Sequence, residues 1–108
     1  MLSDEQKETR KRYERVVGIV HNNTTPKQPP MIHRKHVKVI ASYSDIPGKQ
    51  VDKKLMVAKN NGDIVGHKDR YVSVDADRLD RAIDAVVKQV PVDQTLLGKL
   101  NTARMQLD

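Results

Sequence analysis

The chain has 108 residues, of which 37% are hydrophobic, with three tyrosines, no phenylalanine and no tryptophan; the apolar share of an ordinary globular domain is roughly 45–50%. It has no cysteine, which excludes a disulfide framework and a thiolate metal site, and no apolar run approaches the roughly 18–20 residues that cross a bilayer. Twenty Lys and Arg against 14 Asp and Glu leave a net charge of +6, which directs attention to anionic partners.

This length is that of one small domain, residues 1–108, whose core must come from Val, Ile, Leu, Met and Ala. The excess charge is uneven. Residues 1–70 carry 15 basic and 8 acidic side chains, whereas residues 71–108 carry 5 and 6. The opening Met1-Leu2-Ser3-Asp4-Glu5 lacks the basic head and apolar stretch of a secretory signal. The expectation is a cytoplasmic or virion-associated chain, not secreted and not membrane-spanning.

The first element reads as a basic helix over 3–21. Ser3 and Gln6 have capping-box spacing, and Asp4 and Glu5 suit the positive end of the helix dipole. Tyr13, Val16, Val17 and Val20 make one apolar stripe. The N-terminal half has no such stripe, so it is expected to project while the C-terminal half docks. Residues 22–31 form a polar, Pro-rich connector ending near Pro29-Pro30.

An antiparallel sheet is expected over 36–74. His36–Tyr43 alternates Val37, Val39, Ala41 and Tyr43 against polar neighbours, and Lys54–Lys59 reads as a second strand. Asp45-Ile46-Pro47-Gly48 is a turn, with Gly48 as the residue free to take a positive φ. Asn60-Asn61-Gly62-Asp63 has the signature of a type I′ hairpin. Ile64-Val65 begins the return strand, Gly66 marks a bulge, and Arg70–Val74 continues the strand or forms a fourth.

Two helices fill 76–107. Asp75 is the N-cap of the first, with Leu79, Ala82, Ile83, Val86 and Val87 on its apolar face and Pro91 as its stop. Asp93 opens the last, with Leu96, Leu100, Ala103 and Leu107 on one stripe. The fold class is therefore α+β in the order α-β-β-β-α-α, a three- to four-stranded antiparallel sheet covered on one face by helices. In element order alone this resembles the double-stranded-RNA-binding domain, a reader of duplex shape. Where that family has a Lys-rich cluster, at the start of the helix after the sheet, this chain has Asp75-Ala76-Asp77-Arg78.

Few constellations point to catalysis. His33 and His36 lie on opposite faces if the segment is extended, with Arg34 and Lys35 between them, so no metal is expected. Asp77, Asp80 and Asp84 share an exposed helix face and read as solvated carboxylates. There is no Gly-x-Ser-x-Gly elbow, and the glycines at 18, 48, 62, 66 and 98 are never clustered as a phosphate loop requires. His67-Lys68-Asp69 reads as turn chemistry. No enzymatic activity and no cofactor are expected.

What remains is a basic surface. Its candidate nucleic-acid contacts are Lys7, Arg10, Lys11, Arg12 and Arg15 on the first helix, Lys27, Arg34 and Lys35 in and after the connector, and Lys38, Lys49, Lys53 and Lys54 on the segment that follows. Six to ten phosphate contacts would lower affinity by about 10³–10⁵ between 50 and 200 mM salt. Tyr13, Tyr43 and Tyr71 fall where a small core wants them, so a backbone reader fits better than a base-stacking one. The leading expectation is a non-catalytic accessory protein on DNA or RNA. The alternatives are an assembly subunit of a larger complex such as a virion, and an inhibitor that binds a host protein. The oligomeric state is not legible in the sequence. Exposure of Ile40, Met56 and Ala58 as one apolar face would favour a protein interface.

Overall fold

The computed structural model describes residues 2–23 and 30–107. Five helices and a three-stranded antiparallel sheet make a mixed α+β fold: α1 (Asp4–Asn22), β1 (Ile32–His33), α2 (Arg34–Ser42), α3 (Gly48–Asn61), β2 (Ile64–His67), β3 (Arg70–Ser73), α4 (Ala76–Val87) and α5 (Gln94–Met105). This order is not α-β-β-β-α-α, so the topological likeness to the double-stranded-RNA-binding domain does not carry over.

Helix α1 forms as its sequence dictates. Gln6 N–H donates to Ser3 Oγ at 3.1 Å and Ser3 N–H to Gln6 Oε1 at 2.9 Å, closing the capping box. Residues 2–11 are exposed, while Val16, Ile19 and Val20 are buried. The N-terminal half therefore projects and the C-terminal half docks. Most of the Pro-rich connector, residues 24–29, lies outside the described residues.

Residues 34–42 and 48–61 are helical, where strands over 36–43 and 54–59 were expected. The letters of the first segment fit both periods. Val37, Val39, Ala41 and Tyr43 alternate, but Val37, Ile40 and Ala41 also recur at i, i+3 and i+4, and that set is the one packed inward. Val39 is exposed, and Tyr43 is 83% exposed where a core position was expected. His33 settles the start by accepting the Lys35 N–H on Nδ1 at 3.1 Å. In α3 the inward stripe is Val51, Leu55 and Ala58 at i, i+4 and i+7, a pattern hidden when the segment is cut at Lys54.

The turns move accordingly. Between α2 and α3 the positive φ belongs to Asp45 (57°) and not to Gly48, and Ile46 N–H donates to Ala41 O at 3.2 Å. Asn61-Gly62 ends a helix and does not turn a hairpin. Gly62 has φ 80°, and Asp63 N–H reaches back to Ala58 O at 2.9 Å, as in a Schellman closure. Both uses of Asn-Gly need a positive φ, which is why the dipeptide alone does not choose between them. The hairpin turn is Lys68-Asp69, at φ 50° and 62°, the signs a type I′ loop requires without any glycine. The His67-Lys68-Asp69 triplet is thus turn chemistry, as its sequence indicated.

The strand order is β1-β3-β2, with Ile64, Val65, Gly66 and His67 facing Ser73, Val72, Tyr71 and Arg70 in an unbroken register. Gly66 is therefore not a bulge. A Cβ there would stand 2.9 Å from Tyr71 Cε1 and 2.8 Å from Lys59 Cδ, so glycine lets the Tyr71 ring lie across the strand.

Helices cover both faces of the sheet, not one. On one side α1, α2 and α3 enclose Ile32 and Ile64, with Tyr71 packed against them. On the other α4 and α5 enclose Met31, Val65 and Val72. Adjacent apolar residues such as Ile64-Val65 point to opposite faces and signal a strand buried on both sides.

Helix α4 is capped by Asp75, whose carboxylate accepts the Arg78 N–H at 3.1 Å, and α5 by Asp93, which accepts the Leu96 N–H at 3.1 Å. Leu79, Ala82 and Val86 are buried, but Val87 is exposed and the helix ends there, ahead of a cis Val90–Pro91 bond. Leu96, Leu100 and Ala103 are buried on α5, whereas Leu107 lies past its end and is exposed.

Leu79 is fully buried at the centre of the second core. Leu79→Ala should cost about 2–5 kcal/mol in denaturant unfolding, as truncation of a buried leucine does, and a loss below about 1 kcal/mol would remove it from the core. The two caps set a pH dependence. The backbone N–H of Arg78 is the largest cause that holds the Asp75 carboxyl below its usual value of 3.8. The Leu96 N–H does the same for Asp93, with His67 adding to it. A lowered folded-state value means the capping contribution is complete above pH 3.8 and is lost as pH falls below it. Thermal melts of the wild type should fall steeply below pH 4, and those of an Asp75→Asn, Asp93→Asn double variant should fall less.

Candidate nucleic-acid interface

The twelve candidate cations divide by whether a carboxylate holds them. On α1, Lys7, Lys11 and Arg15 recur every four residues along a row that ends on the buried Ile19, so Lys7 and Lys11 face away from the core, Arg15 borders it, and all three are exposed. They make no ion pair among the described residues. Arg10 is tied to Glu14 (3.2 Å) and Arg12 to Glu8 (3.3 Å), and Arg12 Nη1 donates to Gln50 Oε1 at 2.6 Å. Arg12 thus positions α1 on α3.

Arg34 and Lys38 turn inward to one carboxylate, Asp52 of α3. Lys38 Nζ is 2.9 Å from Asp52 Oδ2, and Arg34 Nη1 is 3.7 Å from Asp52 Oδ1. Arg34 also reaches Asp69 at 3.7 Å, and its N–H donates to Asp69 O at 2.7 Å. Arg34 Nε and Asp52 Oδ1 are buried without a hydrogen-bond partner, so the Arg34–Asp52 contact is one of charge rather than directed bonding. Lys35, Lys49 and Lys53 are exposed and without an ion pair among the described residues. Lys54 is half-buried and shares a groove of about 620 Å³ between α1 and α3 with Leu2, Arg10, Tyr13 and Val57. Lys27 lies outside the described residues.

Lys38 and Lys54, strand residues in the sequence pattern, are helical, as are Lys49 and Lys53 beside them. The sequence reading also overlooked Asp52, because its pairing with Arg34 and Lys38 is tertiary and has no fixed spacing. It overlooked Lys59 and Lys99 as well, which flank the outer edge of β2.

The tyrosines divide. Tyr13 is half-buried; burial raises its hydroxyl above the usual value of 10.0, and donation to Asp63 adds to that. Tyr71 is raised by burial first and by the negative charge of Asp69 second. Tyr43 stands in solvent. These three do not form a stacking platform.

The remaining titratable groups serve packing. His67 Nε2 lies 3.0 Å from Asp93 Oδ2, and Lys99 Nζ lies 3.3 Å from His67 Nδ1. Asp77, Asp80 and Asp84 pair with Arg81, Arg104 and Lys88 at 3.1, 2.9 and 3.0 Å, and the Asp80 pair joins α4 to α5. Among the described residues no three His, Cys, Asp or Glu side chains are grouped to hold a metal ion, and no helix is long and apolar enough to cross a membrane. The chain matches no family model, no curated protein and no solved structure.

Proposed function

We propose that the protein is a non-catalytic, nucleic-acid-associated accessory protein that engages the phosphate backbone through the exposed face of α1. One observation carries this reading. Lys7, Lys11 and Arg15 form a stripe of cations that pair with no carboxylate of the described residues, while Arg10, Arg12 and Lys38 are each held by one and Arg34 by two. Residues four apart on a helix are separated by about 6 Å along its axis, a length over which a duplex carries about three to four phosphate charges. Lys35, Lys49, Lys53 and Lys54 add to the same positive field. A projecting helix half with its charge unspent suits a groove or a phosphate rail better than it suits a core.

The assembly-subunit reading draws on exposed apolar side chains, among them Tyr43 at 83% and Met56 at 62%. The three residues whose joint exposure would favour it do not act together, since Ala58 is fully buried and Ile40 packs on the first core. The backbone-contact reading is therefore preferred.

Binding to duplex DNA, duplex RNA and single strands, measured between 50 and 300 mM salt, tests the proposal. Reversal of Lys7, Lys11 and Arg15 to Glu should leave the melting temperature nearly unchanged and shrink the slope of log K against log salt by about 2.7, three contacts at about 0.9 each. An unchanged slope would sink the proposal. Asp52→Asn frees Lys38, leaves Arg34 paired with Asp69 alone, and raises the net charge by one. It should tighten nucleic-acid binding while costing about 1 kcal/mol of stability, the scale of a partly exposed pair.

A further inference from the structure

Strand β2 is the edge of the sheet, with β3 on one side and no strand of the described residues on the other. Val74 N–H donates to Asp63 O at 3.1 Å at the mouth of the hairpin. In the antiparallel alternation this directs Val65 and His67 toward β3 and turns the N–H and C=O groups of Ile64 and Gly66 outward. They open into a groove of about 620 Å³ between β2 and α5, whose rim carries Lys59 and Lys99. Lys99 Nζ sits 3.2 Å from the outward Gly66 carbonyl oxygen.

We infer that this edge is a docking site for an extended, acidic peptide segment of a partner protein, which adds a strand beside β2. Three observations combine. First, the outward N–H and C=O groups of Ile64 and Gly66, about 7 Å apart at about 3.3 Å per residue, are a hydrogen-bonding template along a four-residue strand. Second, the groove has room, since a Cβ at Gly98 would meet nothing within 4 Å, and the same holds at Gly62. Third, among the described residues its lining includes two lysines and no Asp or Glu. Lysines beside an edge repel a second copy of this basic chain. The same lysines attract a strand that brings carboxylates. Lys99 then exchanges the Gly66 carbonyl for a partner carboxylate, and an incoming N–H takes its place on that oxygen. This site is separate from the α1 stripe and does not depend on nucleic-acid binding.

The test is a selection of random dodecapeptides displayed on phage against the full chain, followed by amide hydrogen exchange with the selected synthetic peptide. The expected peptides carry Asp or Glu between β-branched residues and slow exchange at Ile64 and Gly66. Gly98→Glu, which fills and recharges the groove, and Lys99→Glu should each weaken them at least tenfold, whereas Lys11→Glu should not. Circular dichroism confirms that each variant folds. The inference is overturned by no enrichment, by protection elsewhere, or by equal weakening in Lys11→Glu. A free chain that dimerises, and that Gly98→Glu renders monomeric, also overturns it, because the occupant is then a second copy.

Discussion

Ile64 and Val65 are neighbours in the chain and are buried on opposite faces of one four-residue strand. Neither helical layer closes without the other, because each uses the same short sheet as its floor. A hairpin alone is marginal in water, and β1 adds only two residues to this one. The sheet is held by what lies above and below it. This explains how a chain with three aromatic residues forms two cores: each is a thin layer of aliphatic side chains against a shared partition. Gly66 leaves room for the Tyr71 ring to lie over β2 on the face of the first core.

The charges follow the same economy of faces. On α1 the row Lys7, Lys11, Arg15 runs into the buried Ile19, so the same side of the helix is charged in its projecting half and apolar where it docks. Cations at helix-to-helix contacts are different. Arg34 and Lys38 meet Asp52, and Arg12 meets Gln50, and these groups orient α2 and α1 on α3. A net charge of +6 thus contains two populations, one that builds and one left over.

Elements with a cap and a long stripe were legible in the sequence. Ser3, Asp75 and Asp93 start helices where their side chains demand it, and the stripes behind them are buried except at their C-terminal members Val87 and Leu107. Residues 34–61 were not legible because Val37, Ile40 and Ala41 satisfy a helix as well as their neighbours satisfy a strand, and a short apolar run does not choose. The Asn-Gly pair misled for a related reason: a positive φ is needed at a helix end and in a hairpin alike. The true hairpin turns on Lys68-Asp69, which carries no glycine to announce it. Of the candidate site, the sequence shows which side chains are cationic but not which have a counter-charge. Asp52 is fourteen residues from Lys38 and Lys99 is thirty-three from Gly66, and only folding makes them neighbours.

Arg78 joins the two ends of this arrangement. Its Nε donates to the His21 carbonyl oxygen in the last turn of α1 at 2.6 Å, and its Nη1 to the Asp75 cap of α4 at 3.2 Å. Beside it His21 Nδ1 lies 2.9 Å from Ser73 Oγ. Helix α1 is about 28 Å long, nineteen residues at 1.5 Å each, pinned to α3 in its middle by Arg12 and tied at its C-terminal end by the guanidinium of Arg78. One side chain thus links the end of α1 in the first helical layer to the start of α4 in the second, on the far side of the sheet.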